Sequence, residues 1–177
     1  MSYLTSDRIT LRAPEPEDLD AFYRWENDTA LWAVGCAVEP YSRYALRQYI
    51  ATADHDIYAR RQLRLMVERR ADRMVVGVVD LFDFDPTHQR AGVGLLIDRA
   101  FQRQGFAAEA LNLLVDYAFG VLHLKQLYAH VPTDNAACLA LFDRTTAFTH
   151  TATLRSWLQR HDTYVDVEVW QLIDKNL

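Results

Sequence analysis

The residues best suited to do chemistry lie in one short loop. It has the pattern Gln-x-x-Gly-x-Ala, with Gln102, Gly105 and Ala107 at the fixed positions, and a long apolar helix follows at once. The first turn of a helix has backbone N–H groups without intrahelical acceptors and carries a partial positive charge, so it binds phosphates. Glycine lets the backbone approach an anion, and alanine does not crowd it. The pattern therefore predicts a phosphate site, and an ordinary strand-to-helix loop with a tolerant glycine is the alternative.

Two glycines stand in the strand that leads into this loop. Gly92 and Gly94 interrupt the otherwise strong strand Ala91–Ile97, and glycine inside a strand often marks a bulge or a close backbone approach. We expect a bulge that splays this strand from the next one, Leu127–Val131, and opens a cleft for an extended ligand. A P-loop and a dinucleotide fingerprint are excluded, since the chain has no Gly-Lys-Ser/Thr and no third glycine after Gly92-x-Gly94.

The other elements have to position this cleft. Hydrophobic periodicity predicts the order β-α-α-β-β-β-α-β-α-β-β, hence a mixed sheet in an α/β (α+β) fold. Thr29–Tyr41 is predicted to be a loop, Ser42 to cap the second helix, and Leu63–Val67 to be a half-buried strand. The predicted elements are Ile9–Ala13, Asp18–Trp25, Tyr44–Asp54, Leu63–Val67, Met74–Asp85, Ala91–Ile97, Ala107–Val121, Leu127–Val131, Asn135–Arg144, Phe148–Leu158 and Thr163–Leu172.

Composition limits the class of protein. The chain has 177 residues, of which half are apolar and 24% charged, and this fits one globular domain over residues 1–177. A net charge of −5 gives no sign of the basic face that nucleic-acid binding needs. No apolar run approaches the roughly 20 residues of a membrane span, and the N-terminus has no apolar signal region. Cys36 and Cys138 are too few for a disulfide framework, so we expect reduced thiols and a cytoplasmic location.

Two motifs together resemble those of the GNAT superfamily of acetyl-CoA-dependent N-acetyltransferases. The Gln-x-x-Gly-x-Ala loop is similar to that family's pyrophosphate motif, and Asp134–Phe142 is similar to its Asn-led second CoA helix. The resemblance extends over nearly the whole chain. Glu39-Pro40-Tyr41, Leu127-Tyr128 and His88-x-Arg90-Ala91 are most similar to the bacterial spermidine and ribosomal-protein N-acetyltransferase branch.

The resemblance implies a fold and a cofactor site. The fold is a mixed, mostly antiparallel sheet of six to seven strands, with about four helices and a bulged, splayed central strand. The cofactor is acetyl-CoA: the splayed strand pairs with the pantetheine arm, Asn135 bonds that arm or caps its helix, and the phosphate loop holds the pyrophosphate. The residues implied to contact acetyl-CoA are Leu95, Leu96, Ile97, Gln102, Arg103, Gln104, Gly105, Phe106, Ala107, Ala108, Asn135, Cys138 and Phe142.

The chain departs from the family pattern at positions that matter for catalysis. Phe142 stands where many members have the tyrosine that protonates the leaving thiolate, and Gly92 where many have a glutamate. Leaving a thiol of pKa about 8.5 unprotonated at pH 7 costs only about 2 kcal/mol, whereas deprotonating an amine of pKa about 10.4 costs about 4.6 kcal/mol. A general base is therefore the larger requirement, and Phe142 does not by itself make the protein inactive.

The implied reaction is direct attack of a neutral amine on the thioester. Backbone donors of the splayed strand at Leu95 are expected to hold the oxyanion. Asp83 and His130 are the candidate catalytic bases, acting directly or through a water. The alternatives are a solvated strand end for Asp83 and a core or rim histidine for His130. For Cys138, a small buried thiol is the alternative to a cofactor contact.

Carboxylates are concentrated on the predicted acceptor side. The predicted substrate residues are Glu39, Tyr41, Asp80, Asp83 and Asp85, and their charge favours a small cationic amine, above all a polyamine. The acceptors left open are a protein N-terminus and an aminoglycoside, and a catalytically weak acyl-CoA-binding sensor is the non-enzymatic reading. No metal site, nucleic-acid partner or membrane partner is expected. Aromatic residues of the terminal hairpin, if exposed, would serve a homodimer.

Overall fold

The computed structural model describes residues 3–32, 39–52, 56–144 and 147–175, and within these ranges a seven-stranded sheet organises the chain. The strand order is β1-β2-β3-β4-β5-β7-β6, with one parallel pair, β4 with β5, among antiparallel ones. The strands are β1 Ile9–Arg12, β2 Leu63–Arg69, β3 Val75–Asp85, β4 Arg90–Ile97, β5 Gln126–Pro132, β6 Thr149–Arg160 and β7 Thr163–Ile173. The mixed, mostly antiparallel fold class that the sequence predicts is confirmed.

Six α-helices accompany the sheet in the described ranges. They are α1 Leu19–Glu26, α2 Thr29–Trp32, α3 Arg43–Ala51, α4 Ile57–Arg60, α5 Phe106–Gly120 and α6 Ala136–Arg144. The sequence predicts four of them; α2 and α4 have four residues each, too few for an apolar period, and α2 lies in the predicted loop Thr29–Tyr41. Ser42 caps α3 as predicted, accepting the amide of Ala45 at 3.0 Å.

Both faces of the sheet are covered. Residues of α5 and α6 belong to the larger apolar cluster, and residues of α1 and α3 form a second cluster on the other face. Met66 lies in the second cluster and is fully buried, so the prediction of a half-buried second strand is wrong. The pattern failed because α1 and α3 cover the face that the alternation assigns to solvent. None of the described helices has the length and apolarity to cross a membrane.

The sheet opens between β4 and β5. These strands pair only where Arg90–Gly92 meets Gln126–Tyr128, after which β4 continues along β3 to Ile97 and β5 along β7 to Pro132. The predicted splay is therefore confirmed.

The bulge beside the splay belongs to the neighbouring strand. Between the pairs Phe82–Gly92 and Asp85–Arg90, β3 has two residues and β4 has one. The extra residue thus lies in β3 and not in the glycine strand, where we expected it. Gly92 has a different reason to be glycine: a Cβ there would lie 2.3 Å from the Phe82 ring.

The outer hairpin projects from the rest of the sheet. Most residues of the edge strand β6 are exposed. Its pairing with β7 shifts register twice, between His150 and Ala152 and between Leu154 and Leu158, and Ser156 has a φ of 49°. β6 is therefore a bent edge and not a flat one.

Glycines in the central strands give a test of this packing. A Cβ on Gly77 would lie 2.2 Å from the backbone oxygen of Leu96, which cannot move away without disturbing the β3–β4 pairing, whereas a Cβ on Gly94 would meet nothing closer than 3.6 Å. We expect Gly77→Ala to lower the free energy of unfolding by about 2 kcal/mol or more, and Gly94→Ala to change it by less than about 0.5 kcal/mol. Urea denaturation of both variants measures this. Equal losses would contradict the described register.

Candidate active site

The phosphate loop has free donors where the sequence predicts them. A short 3₁₀ turn, Arg99–Phe101, follows β4. Gly105 is the N-cap of α5 and has a φ of 86°, a conformation that glycine adopts without strain. In the described part of the chain, the amides of Gly105, Phe106, Ala107 and Ala108 donate to no acceptor. Four unpaired N–H groups at the start of a 15-residue helix are suited to bind an anion.

Two glutamines of the motif support the loop from within. The side-chain amide of Gln102 donates to the carbonyl of Ile97 at 3.0 Å, and that of Gln104 to the carbonyl of Ala100 at 3.4 Å. Arg103, with a φ of 62°, is exposed and makes no hydrogen bond or ion pair with the described residues. Of these three side chains, Arg103 is the one placed to add charge to a bound anion.

Asp98 ties this loop to α1. Its carboxylate accepts from the amide of Ala100 at 3.0 Å, the indole N–H of Trp25 at 2.9 Å and the guanidinium of Arg24 at 2.7 Å. Burial by itself raises the pKa of Asp98, but these three donors outweigh it, and the pKa lies below its ordinary value of 3.8. Asp98 therefore stays ionised and anchors the turn between β4 and α5.

The walls of the cleft hold the remaining predicted cofactor residues. Leu95 and Leu96 are half-buried on β4, and the edge of β4 beyond Gly92 has no strand partner on the β5 side within the described chain. Across the cleft, Asn135 caps α6 by accepting the amide of Cys138 at 3.1 Å, and its side-chain NH₂ has no acceptor among the described residues. Both predicted uses of Asn135, helix cap and pantetheine contact, are compatible with this geometry.

Phe142 and Cys138 belong to the core behind α6. Phe142 is 2% exposed, and its ring centroid lies 5.0 Å from that of Phe148 and 6.0 Å from that of Trp170. Burial raises the pKa of the Cys138 thiol to about 11, so the thiol is neutral near pH 7. A thiol with that pKa is a weaker acid than a tyrosine phenol, whose ordinary pKa is about 10. Neither side chain supplies the acid that a tyrosine would.

A polar cluster lies where the cleft closes. The hydroxyl of Tyr128 donates to the carboxylate of Asp83 at 3.4 Å, and the ring of exposed His130 lies 5.3 Å from that of Tyr128. Asp83 lies in the bulge of β3 and has a φ of 48°. The bulge turns its side chain toward β5. Burial, and then the charge of Asp83, raise the pKa of Tyr128, which keeps its proton at neutral pH.

Sequence reasoning missed Tyr128 as a functional residue. It is the last residue of β5 that pairs with β4, opposite Gly92, and its ring stands edge-on to Phe82 at 6.0 Å. The signal available was the short strand Leu127–Val131 beside the predicted splay, but which of its side chains would reach Asp83 depends on the bulge in β3.

Two of the four predicted acidic residues, Asp80 and Asp85, are already neutralised by arginines. Arg64 donates to Asp80 at 2.7 and 3.2 Å and to Glu26 at 3.0 Å. Burial by itself lowers the pKa of Arg64, but the two carboxylates outweigh it and hold the pKa above its ordinary value. Arg64 therefore remains charged and neutralises Asp80 in an ion pair, so Asp80 attracts a cationic substrate only weakly.

The other predicted carboxylates differ in whether a partner already occupies them. Asp85 caps the following turn, accepting from the amides of Thr87 and His88 at 3.0 Å each, and Arg90 lies 3.3 Å away. Glu39 is exposed near Tyr41, which is 40% exposed and whose backbone is fixed by Asn27. Among the five predicted acidic and aromatic substrate residues, Asp83 and Glu39 are the carboxylates that form no ion pair with described residues. Gly35 and Cys36, which belong to the predicted loop Thr29–Tyr41, lie outside the described residues.

The site thus combines an anion loop, an unpaired strand edge and a carboxylate held by a tyrosine. Free amides suit a pyrophosphate, and the unpaired edge of β4 suits an amide-containing arm that adds to it as a strand does. A carboxylate at the closed end of the cleft is placed to accept a proton. Among the described residues there is no group of histidine, cysteine and acidic side chains that would hold a metal ion. The arrangement supports acyl transfer from a CoA thioester.

Comparison with known proteins agrees with this geometry. Residues 8–145 match the family model of the acetyltransferase (GNAT) domain. The spermidine N(1)-acetyltransferase of Vibrio cholerae is 28% identical over 139 residues, which cover 78% of each chain. The crystal structure of spermidine N-acetyltransferase from Vibrio cholerae in complex with CoA and spermine superposes with a TM-score of 0.82, at 26% identity, covering 95% of this chain and 96% of that one. A dodecameric structure of the same enzyme gives 0.78 at 27% identity, covering 95% of each chain.

The anion loop can be tested at its exposed end. Gly105 is a poor place for the test, since a side chain at its positive φ is strained and would lie 3.2 Å from Arg8. Ala108 is exposed in the first turn of α5, where an acidic residue favours the helix but repels a phosphate. We expect Ala108→Glu to weaken CoA binding at least about tenfold, and Ala108→Gln by less than about threefold, without loss of thermal stability in either. Calorimetric titration with CoA measures this, and equal affinities for CoA would contradict the assignment.

The Asp98 anchor makes a prediction about acid stability. Because the pKa of Asp98 is lower in the folded than in the unfolded chain, the stability it contributes is present above the ordinary pKa and is lost as the pH falls through the folded one. We expect Asp98→Asn to cost about 1–2 kcal/mol at pH 7 and to flatten the dependence of unfolding free energy on pH below about pH 4. Denaturation series at several pH values test it, with the exposed Asp116→Asn as control. A slope unchanged from that of the natural chain would refute the anchor.

Proposed function

We propose that this chain, which belongs to the GNAT acetyltransferase family, acetylates a primary amine of a small polyamine. As a member of that family it is an acetyl-CoA-dependent N-acetyltransferase. The observation that carries the proposal is the divergence of β4 from β5 beside four free amides at the start of α5. The polyamine acceptor is supported by the relatives that act on spermidine and by two carboxylates, Asp83 and Glu39, that form no ion pair with residues the structure describes.

Different residues of the cleft have different roles in the proposed reaction. When bound, acetyl-CoA supplies an activated acetyl group. The amides of Gly105 to Ala108 and the side chain of Arg103 hold its pyrophosphate, and the free edge of β4 from Val93 to Ile97, with Asn135, holds the pantetheine arm. The backbone at Leu95 faces the cleft and offers donors to developing negative charge.

Asp83 is the general base in this proposal. A polyamine nitrogen has to lose a proton before it attacks, at a cost of about 4.6 kcal/mol at pH 7. Asp83 is open to solvent, and the hydroxyl of Tyr128 holds its carboxylate in place. Tyr128 itself keeps its proton, so its role is to orient Asp83. His130 stands at the exposed rim of the same cluster, where it can relay a proton to solvent.

Glu39 is the residue proposed to hold the distal ammonium. It is exposed and has no ion-pair partner among the described residues, unlike Asp80 and Asp85. A single carboxylate attracts a cation only within about a Debye length, near 8–10 Å at physiological salt. We therefore expect a modest effect of salt on polyamine binding, smaller than four free carboxylates would produce.

A homodimer through the terminal hairpin is the proposed assembly. Trp157 and Tyr164 are each 58% exposed on β6 and β7, and exposed aromatic side chains of this size are typical of interfaces. The related enzyme of Vibrio cholerae has a dodecameric structure. An interface that covers the exposed edge of β6 would satisfy the backbone groups that this strand leaves unpaired.

The acceptor and the base can be tested together. With acetyl-CoA and a panel of spermidine, spermine, diamines, an aminoglycoside and a peptide N-terminus, we expect the polyamines to release CoA fastest. Asp83→Asn should lower kcat about 100-fold with little change in KM, whereas Glu39→Gln should raise KM for polyamines with kcat nearly unchanged. Asp85→Asn is the matched control, because turn amides and Arg90 already occupy that carboxylate. CoA release with a peptide but with no polyamine would refute the polyamine acceptor, and full activity of Asp83→Asn would refute the base.

A further inference from the structure

We propose that a cavity beside the start of α5 binds the 3′-phosphate of CoA, an inference that rests on the proposed function. The cavity has a volume of about 450 Å³ and lies between the start of β1, the β2–β3 turn and the first residue of α5. Its lining residues are Asp7, Arg8, Arg69, Arg70, Ala71 and Phe106. Three of these six are arginines, and the cavity lies outside the β4–β5 cleft that holds the reacting groups.

The cavity adjoins the anion loop through two residues. Phe106, the first residue of α5, contributes one of the free amides and also lines the cavity. Arg8 donates to the carbonyl of Gln104 at 3.0 Å, lies over the ring of Phe106 at 5.1 Å, and would stand 3.2 Å from a Cβ on Gly105. A pyrophosphate on the free amides would therefore have Arg8 and the cavity on its β1 side. In CoA the 3′-phosphate is carried by the ribose next to the pyrophosphate, so one sugar separates the two groups.

The arginines of the cavity differ in whether a neighbouring carboxylate neutralises their charge. Arg8 pairs with Glu109, its Nε lying 2.8 Å from that carboxylate. Arg69 pairs with Asp72 through two bonds of 2.9 and 2.6 Å. Both therefore shape the cavity while their charge is largely offset.

Arg70 is the lining arginine whose charge no carboxylate of the described residues offsets. It donates to the carbonyls of Ser6 at 2.9 Å and Asp7 at 3.4 Å, and it forms no ion pair with the described residues. Two carbonyls fix one end of its guanidinium and leave the other N–H groups for a ligand, and a guanidinium fork fits a phosphate well. Asp7 is the carboxylate of the lining and opposes an anion, so the two neighbours should affect phosphate binding in opposite directions.

The test compares CoA with dephospho-CoA, which lacks only the 3′-phosphate. By calorimetry we expect the natural chain to bind CoA about tenfold more tightly than dephospho-CoA. Arg70→Met should abolish this preference by weakening CoA alone, and Arg70→Lys should keep part of it. Asp7→Asn should strengthen CoA binding and leave dephospho-CoA unchanged. Arg73→Met is the matched control, since Arg73 lies in the same turn, is 82% exposed and does not line the cavity.

The outcomes separate this inference from the function on which it rests. A preference for CoA that depends on Arg70 and not on Arg73 supports the site. Tight binding of both compounds with no preference, or an equal loss for both in Arg70→Met, overturns the site and leaves the acetyltransferase intact. Binding of neither compound to the natural chain overturns both. Thermal melting of each variant shows whether a loss reflects unfolding.

Discussion

The edge of β4 beyond Gly92 is the constraint on which the rest of the site depends. A strand in the middle of a sheet ordinarily satisfies its backbone groups on both sides, but here β5 follows β7 away and leaves one side of β4 open. The open edge ends at Asp98, where the chain turns into α5, so unpaired strand groups and unpaired helix amides follow one another along one path. A ligand with amide groups at one end and phosphates at the other matches that path in order.

This path can bind a ligand tightly only if the turn between β4 and α5 is rigid. Contacts on both faces of the sheet fix that turn. On one face Asp98 is bonded to Trp25 and Arg24 of α1. On the other face, Glu109 of α5 accepts from Ser6 and Arg8 at the start of the chain. Helix α1 and the segment before β1 therefore meet at one loop, and a shift of either would move the free amides at the start of α5.

The features that could be predicted from the sequence are those whose cause lies in neighbouring residues. The Gln102–Ala107 loop and the splay were predictable because a glycine at a helix start and glycines in a strand have local causes. The buried position of Met66 was not, because it depends on α1, over 40 residues away in the sequence. The pairing of Arg64 with Asp80 and Glu26 also joins three separate elements, so counting carboxylates overestimated the charge open to a substrate. The bulge at Asp83 was assigned to the wrong strand, since glycine at position 92 serves the Phe82 ring and leaves no local trace of the irregularity in β3.

The bent edge of β6 has a consequence for solubility. A long strand with an open edge is a template on which further copies can add without limit, the first step of aggregation. In β6 the two register shifts, together with the left-handed Ser156 whose amide is bonded to Asp166 at 2.7 Å, break the row of backbone donors and acceptors into short pieces. A second chain can align with one piece at a time, which favours a finite assembly over a growing fibre.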